Sequence, residues 1–244
     1  MKRNKSILYT TMLAVLLSLV SVSCSTTARL GEGEVLYTGV KKLNYKENNT
    51  KIDGDVQDQI FEAIDVAPNN SLYSPYYRTP FPIGLWVYNH WNPNAKGLKG
   101  WLYRKLVSQP VLVSRVRPET RVDMINTLLR NNGYFTSSAS YKLNYSSKNK
   151  KKASITYDVK VNEPYCLGEL KYLNMGTPLT DIIDSVAKKN SYFQTGNRYC
   201  LDSLNAVRIE ITNVLRNKGY YYFKPEYLEY LADSVSAKGT VNLQ

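Results

Sequence analysis

The feature of this sequence that most restricts its fold is a short segment that occurs twice. Leu128–Phe135 reads Leu-Leu-Arg-Asn-Asn-Gly-Tyr-Phe, and Val214–Tyr221 reads Val-Leu-Arg-Asn-Lys-Gly-Tyr-Tyr. The two glycines, Gly133 and Gly219, are 219 − 133 = 86 residues apart. Upstream of each, apolar residues recur at helical spacing, and glycine is the residue that most readily ends a helix in the left-handed conformation. The chain is therefore predicted to contain the same helix-ending unit twice.

After each glycine the apolar period changes from helical spacing to alternation, which is typical of strands. In the first copy, residues 141–145 and 153–161 alternate apolar with polar side chains on either side of a basic, polar turn. In the second copy, the pattern predicts a strand over 220–231 and another over 240–243. Pro225 interrupts the former, which indicates an edge position or a break.

A strand and a shorter helix precede each repeated helix. In the second copy they are predicted at 167–173 and from Pro178 onward, with Thr177 as a candidate N-cap. In the first copy they are predicted at 35–45 and from about Asp55. The unit is thus β-α-α-β-β, present twice, and the predicted fold class is α+β.

The N-terminus has the pattern of an export signal. Three basic residues precede a mostly apolar run that is too short for a comfortable membrane span, and small residues lead to Cys24. Residues 1–23 are predicted to be a lipoprotein signal peptide, Cys24 the lipid attachment site and 24–34 a linker. The alternative is a soluble secreted protein in which Cys24 is incidental.

The charge limits the class of partner. The chain has 32 basic and 20 acidic residues, and removal of residues 1–23 takes away three basic residues and no acidic ones, which leaves +9. An exported protein meets no cytoplasmic nucleic acid, so no nucleic-acid partner is expected. The positive charge could bind anionic lipid, lipopolysaccharide or acidic clients. Alternatively, the basic side chains could simply be solvated. We expect an outer-membrane, lipid-anchored, periplasm-facing protein.

Several stretches give the chain a family resemblance: the doubled Gly-Tyr ending, the lipobox followed by 30–37, the segments 100–102 and 109–112, and 223–227 leading to 232–234. On these residues the chain resembles POTRA domains, and within them TamL, the TamA-like lipoprotein branch of the BamA/TamA outer-membrane assembly superfamily. The resemblance implies tandem modules, each with a three-stranded mixed sheet, its last strand in the middle, and two helices on one face.

The internal repeat sets the predicted domain limits. Module 1 is predicted at 35–163, with an insertion at 74–116, and module 2 at 164–244. The repeat spacing would place the end of module 2 beyond Gln244, so we expect that module to be incomplete. The barrel of such proteins is absent from this chain, which is expected to be the N-terminal fragment of a longer protein or the product of a truncated gene.

The insertion contains all three tryptophans, Trp86, Trp91 and Trp101, together with His90 and a basic group that includes Lys105. Tryptophan beside lysine suits a docking or membrane-interface surface, and we take Trp86, Trp91, Trp101 and Lys105 as that candidate surface. Packing of the tryptophans onto module 1 is the equally weighted alternative.

No catalytic, cofactor or metal constellation is predicted. His90 has no nucleophile or carboxylate partner in the sequence pattern. The carboxylates of Glu226, Glu229 and Asp233 suit solvent-facing roles better than acid–base catalysis. Cys166 and Cys200 could form a disulfide in an oxidising compartment, but two free thiols are the preferred interpretation. We expect a protein that is not an enzyme.

The functional hypothesis is a periplasmic scaffold for outer-membrane protein assembly that binds extended clients or a partner by adding a strand to an exposed sheet edge. The resemblance implies nascent outer-membrane proteins as clients and a TamB-like periplasmic partner. The alternative is a periplasmic lipoprotein that binds lipopolysaccharide or peptidoglycan through a basic, Trp-rich surface. The candidate edge strand comprises Ser140, Tyr141, Lys142, Leu143, Asn144 and Tyr145.

Overall fold

The computed structural model describes residues 26–47, 50–72, 74–171, 178–234 and 238–244. The strands are β1 (Leu36–Glu47), β2 (Ser71–Leu72), β3 (Ser74–Arg78), β4 (Ser138–Tyr145), β5 (Lys152–Val161), β6 (Cys166–Leu170), β7 (Ala232–Asp233) and β8 (Thr240–Leu243). The helices are α1 (Gly54–Ile64), α2 (Ile83–His90), α3 (Gly97–Leu106), α4 (Val113–Val116), α5 (Pro118–Asn131), α6 (Pro178–Lys189) and α7 (Leu201–Asn217).

The chain divides into two compact units. The first takes its described residues from 1–43, 64–119 and 141–157, and the second from 44–63, 120–140 and 158–244. The module limits given by the repeat, 35–163 and 164–244, follow sequence and stay a prediction. Residues 35–163 are called the first repeat below, and residues 164–244 the second repeat.

The sheet of the first repeat has the strand order β1-β5-β4. Within the first compact unit, the Leu36 N–H donates to the Lys151 carbonyl at 2.8 Å and the Thr38 hydroxyl to the Ala153 carbonyl at 3.0 Å, so β1 and β5 run in the same direction. Strands β5 and β4 form an antiparallel hairpin. The sheet is mixed, and its last strand is central, as expected.

The two faces of this sheet differ in polarity. On β5, Ala153, Ile155, Tyr157, Val159 and Val161 are at most 1% exposed, while the residues between them are only partly buried. The helices α1 and α5 likewise bury an apolar stripe, which includes Val56, Ile60, Ile125 and Leu129. This alternation places an apolar core on one face of the sheet and leaves the other face polar.

The insertion at 74–116 is structured. It holds β3, which pairs antiparallel with β2, followed by α2, α3 and the single turn α4. It lies between the two helices of the first repeat, as the sequence predicts.

The sheet of the second repeat has the order β6-β8-β7, with β8 parallel to β6 and antiparallel to β7. The central strand is again the last in sequence. Its core is formed by α6, α7, β6 and β8, and its buried members include Leu167, Val207, Ile211, Leu215 and Val241. The α+β class with two three-stranded mixed sheets is therefore confirmed.

The predicted strand over 220–231 is wrong. Turns replace it: the Phe223 N–H donates to the Tyr220 carbonyl, and a 3₁₀ turn spans Pro225–Tyr227. Proline lacks the N–H that a ladder needs, and its fixed φ favours the turn that follows. On this side of β8, pairing is limited to β7, Ala232–Asp233, and to Leu231, whose main chain exchanges two 2.9 Å hydrogen bonds with Gln244. The candidate N-cap Thr177 lies outside the described residues.

Among the described helices, none combines the length and apolar composition required to cross a bilayer.

Candidate functional site

Strand β4 lies at the outer edge of the first sheet, next to β5 alone. The Ser146 N–H at the end of the hairpin donates to the Lys152 carbonyl at 2.9 Å, so even-numbered residues face β5 with their main-chain groups. Because hydrogen-bonding direction alternates along a strand, the main-chain groups of Tyr141, Leu143 and Tyr145 point away from the sheet. This edge is eight residues long and contains no proline.

The side chains along β4 alternate around this edge. Ser140 and Lys142 are exposed, and Tyr141 and Leu143 are half-buried. Asn144 donates a 2.8 Å hydrogen bond to the Thr156 hydroxyl on the polar face of the sheet. At the end of the strand, Tyr145 is 55% exposed. The structure thus brings all six predicted edge residues together on one strand.

Two side chains of α5 hold β4 in place. The Ala139 N–H, which points outward, donates to Asn126 Oδ1 at 2.7 Å, so the first outward amide of the edge is already satisfied. The Tyr141 hydroxyl donates to Glu119 Oε1. This bond stabilises the carboxylate and lowers the pKa of Glu119, and it raises the pKa of Tyr141. The sequence favours Glu119 in the first turn of this helix, but it gives no signal for the contact of Glu119 or of Asn126 with β4.

The opposite edge of the same sheet is covered by the insertion. The Tyr37 N–H donates to the Val111 carbonyl at 2.8 Å, and the Val113 N–H donates to the Val35 carbonyl at 2.9 Å. The Arg78 guanidinium also donates to the Thr38 carbonyl at 3.3 Å. The insertion therefore occupies main-chain groups at the start of β1, from Val35 to Thr38. The sequence carries no signal for this pairing, since residues 111–113 read as a short apolar run in a loop.

In the second sheet, the edge strand β6 is covered in a similar way. The Leu167 N–H donates to the Asn197 carbonyl, and the Gly196 N–H donates to the Leu167 carbonyl, each at 2.7 Å. The other edge is β7, which has only two residues. Strand β4 is eight residues long, and in the described chain no neighbouring segment forms a main-chain hydrogen bond with the outward groups of Tyr141, Leu143 or Tyr145.

The candidate docking residues form two groups. Trp86 stacks on His90 with ring centroids 4.8 Å apart and meets the edge of Trp91 at 6.4 Å. Trp101 and Lys105 share one face of α3, where Trp101 is 51% exposed and Lys105 is exposed. The alternative that the tryptophans pack inward fits Trp86 and Trp91, which are half-buried, better than Trp101.

The histidine, two cysteines and two of the glutamates considered for catalysis lie within the described residues. His90 Nδ1 lies 2.8 Å from the Trp86 carbonyl oxygen. Cys166 and Cys200 are free thiols, half-buried. Glu226 and Glu229 are exposed and lie on turns, so the strand geometry expected for them does not apply. Cys24 lies outside the described residues.

The cavities and the possible metal ligands of the described chain bear on the alternatives to the scaffold hypothesis. In the described part of the chain, no group of three or more His, Cys, Asp or Glu side chains could hold a metal ion. A cavity of about 160 Å³ in the first compact unit is lined by Thr26, Tyr37, Asn70, Lys152 and neighbours, with no tryptophan. Lys152 is the one basic residue of its lining. A cavity of about 360 Å³ in the second unit is mostly apolar.

A junction missed by the sequence analysis lies in the second compact unit. Arg198 Nη1 is 2.6 Å from Asp53 Oδ2, Nη2 is 3.1 Å from Asp55 Oδ2, and the guanidinium lies 5.8 Å from the centre of the Tyr134 ring. Beside it, the Tyr165 N–H donates to the Gly133 carbonyl at 2.9 Å. No periodicity in the sequence relates Arg198 to two aspartates about 145 residues away.

Comparison with known proteins gives structural similarity only. No protein-family model and no curated protein matches the chain. POTRA domains 3–5 of BamA from Haemophilus influenzae are 16% identical, with a TM-score of 0.41 over 88% of this chain and 67% of that one. POTRA domains 1–2 of Omp85 from Anabaena are 14% identical, with a TM-score of 0.37 over 88% and 96%. A three-domain structure of the same Omp85 region scores 0.39 at 15% identity, over 88% and 62%.

Proposed function

We propose that this protein is a lipid-anchored periplasmic scaffold for outer-membrane protein assembly, and that extended clients bind it by pairing with strand β4. The single observation that carries the proposal is the unequal state of the two edges of the first sheet. The insertion occupies main-chain groups at the start of β1, while β4 presents those of Tyr141, Leu143 and Tyr145 outward. An edge of this kind is a template for an added strand.

The chemistry of β4 fits clients of varied sequence. Affinity in strand addition comes from main-chain hydrogen bonds, which every sequence offers except at proline. Of the exposed side chains of the predicted edge, Ser140 and Lys142 are small or flexible, and Tyr145 lies at the end of the strand. Such an edge selects for extended conformation more than for side-chain identity, which suits strands that have not yet joined a barrel.

The resemblance to the TamL branch supports the finer parts of the proposal. It favours nascent outer-membrane proteins as clients, a TamB-like partner and a continuation into a barrel outside the present chain. Cys24 is the proposed acylation site, and it would hold the scaffold at the periplasmic side of the outer membrane. No catalytic step is proposed.

The test replaces Leu143 by proline. Its N–H points outward, so Leu143→Pro removes a donor from the edge without removing a bond to β5, and edge positions tolerate proline. We expect the variant to lose crosslinking to nascent outer-membrane proteins while its cellular level stays that of the unmodified protein. Leu143→Ala, which keeps the N–H, is the matched control and should crosslink normally.

Two outcomes would contradict the proposal. Crosslinking of Leu143→Pro at the normal level would show that another surface binds clients. Equal loss in Leu143→Pro and Leu143→Ala would show that the leucine side chain, and not the main chain, makes the contact. Acylation is tested separately, by metabolic labelling with palmitate in Cys24→Ser, which should abolish incorporation.

A further inference from the structure

The helix α3 presents an apolar and basic face that the proposed function does not use. Leu98, Trp101 and Lys105 follow one another at helical spacing, so they lie on the same side of α3. Leu98 is 73% exposed and Trp101 is 51% exposed. A tryptophan and a leucine of this exposure on one helix face form an unusual apolar surface, and a lysine at its border is typical of helices at a membrane interface.

The charged residues in the sequence around this face are all basic. From residue 66 to residue 118 the sequence contains no acidic residue. On and beside α3, Lys96, Lys99, Arg104 and Lys105 are all exposed, and none of the four forms an ion pair within the described chain. The basic residues of this segment are Arg78, Lys96, Lys99, Arg104, Lys105, Arg115 and Arg117. Such a surface is complementary to anionic head groups, each Lys or Arg being worth about a five-fold change in partitioning at an anionic membrane.

The residues that follow the proposed lipid anchor at Cys24 contact the insertion. Asn89 of α2, which is buried, donates from Nδ2 to the Thr26 carbonyl at 3.1 Å and accepts from the Arg29 N–H at 3.0 Å. Arg29 Nη2 also donates to the Trp91 carbonyl at 3.1 Å. The segment that follows Cys24 is therefore fastened to α2, which packs against α3. Two residues span at most about 7 Å, so an acyl chain on Cys24 would enter the bilayer close to where α2 holds Thr26.

We infer that α3 lies on the surface of the outer membrane, with Leu98 and Trp101 at the level of the lipid head groups and the neighbouring Arg104 and Lys105 side chains on anionic lipid. This inference rests on the proposed acylation of Cys24. It adds an orientation: a protein fixed both by its anchor and by α3 cannot turn freely, so the insertion faces the bilayer. The function of the insertion would then be to set the direction in which β4 is presented.

The experiment uses the full acylated chain reconstituted in phosphatidylethanolamine vesicles, with or without phosphatidylglycerol. Flotation reports the anchor, and quenching of tryptophan emission by brominated lipid reports α3. Subtracting the signal of Trp101→Phe isolates Trp101, because Trp86 and Trp91 are kept in both proteins. We expect quenching of the Trp101 component that at least doubles when phosphatidylglycerol is present.

The variant Arg104→Glu/Lys105→Glu, which changes the two exposed basic residues next to Leu98 and Trp101 on the helix face, should still float and should lose this increase. Lys218→Glu, an exposed change in the second compact unit, is the charge control and should retain it. Flotation without quenching of Trp101, or an undiminished increase in the double variant, would overturn the inference and leave the anchor intact. Quenching only after other outer-membrane proteins are added would overturn it in favour of a protein partner. Loss of flotation would refute the anchor, and with it this inference.

Discussion

The two glycine-tyrosine endings are alike in local geometry and different in surroundings. Gly133 and Gly219 both have positive φ, +84° and +101°. The following tyrosine N–H donates five residues back in each case, Tyr134 to Leu129 at 2.8 Å and Tyr220 to Leu215 at 3.1 Å. This is the Schellman arrangement that caps a helix. The repeated sequence therefore encodes the same chain reversal twice.

Beyond that reversal the two endings diverge. A Cβ on Gly133 would lie 2.8 Å from the Tyr199 carbonyl oxygen and 3.0 Å from that of Tyr165, whereas a Cβ on Gly219 would meet nothing within 4 Å. Tyr134 is fully buried, and its hydroxyl accepts the Asp53 N–H at 3.2 Å. The same motif is thus a packed junction at one site and an open turn at the other.

The strands that follow the endings differ in the same sense. β4 has eight residues and β7 has two. In the second repeat, Pro225 and the turns around it replace the stretch that corresponds to the paired strand β4 in the first repeat. Of the two outer strands that follow the repeated endings, only β4 is long, so the client-binding proposal applies to the first repeat alone.

Substitution of the two glycines is expected to give the largest difference. Gly219→Ala meets only the cost of a left-handed residue with a Cβ, about 1–2 kcal/mol. Gly133→Ala adds a clash with two carbonyl oxygens that belong to main chain and cannot move aside, so we expect a total of about 3 kcal/mol. Urea unfolding of both variants followed by circular dichroism measures the pair. Equal losses in the free energy of unfolding would mean that the two carbonyl oxygens close to Gly133 do not affect stability.

The Arg198 cluster should have a smaller effect. Its guanidinium is 22% exposed and contacts two carboxylates, so Arg198→Lys, which keeps the charge but not the planar fork, should lose about 1 kcal/mol at low salt. Lys188 pairs with Asp184 on the surface of α6 and serves as the comparison. Lys188→Ala should change the free energy of unfolding by less than about 0.5 kcal/mol. If both variants lose the same free energy of unfolding, the contacts of Arg198 contribute no more than an ordinary surface ion pair.

The smallest expected effect concerns the bond between Tyr141 and Glu119. The hydrogen bond holds the pKa of the Glu119 carboxyl below its ordinary value. Such a depressed pKa favours the fold above the pKa of the unfolded chain, and the contribution disappears as pH falls through the folded value. In Tyr141→Phe the pKa of Glu119 should rise, as an NMR titration of its side chain would show. An unchanged pKa would indicate that main-chain bonding in the first turn of α5 accounts for it.

The sequence predicts the parts of the fold that depend on local pattern. Helix ends at Gly133 and Gly219, alternation on β5 and the order of elements in both repeats follow from spacing, and all are present in the structure. Pro225 indicated a break or an edge, but the apolar residues around it favoured a strand that turns replace. The sequence cannot show what pairs with a strand edge, because contacts such as Tyr37 with Val111 depend on where the insertion folds back.

The same limit applies to the candidate site. The parity of β4 was predictable from its alternating side chains, and so was its low content of bulky exposed residues. The occupation of the competing edge and the bonds from Asn126 and Glu119 were not, since they join positions far apart in sequence that carry no shared motif. The placement of Cys24 and of the residues around Thr177 lies outside the described chain.

The most direct test of the central claim is amide hydrogen exchange on β4 with a client present. A peptide with the sequence of one strand of an outer-membrane barrel is added to the isotopically labelled protein, and exchange is followed residue by residue by NMR. The account predicts at least about ten-fold slower exchange at Tyr141, Leu143 and Tyr145, whose amides point outward, with little change at Lys142 and Asn144, which already bond β5. Peptide binding that leaves the exchange of Tyr141, Leu143 and Tyr145 unchanged would contradict it.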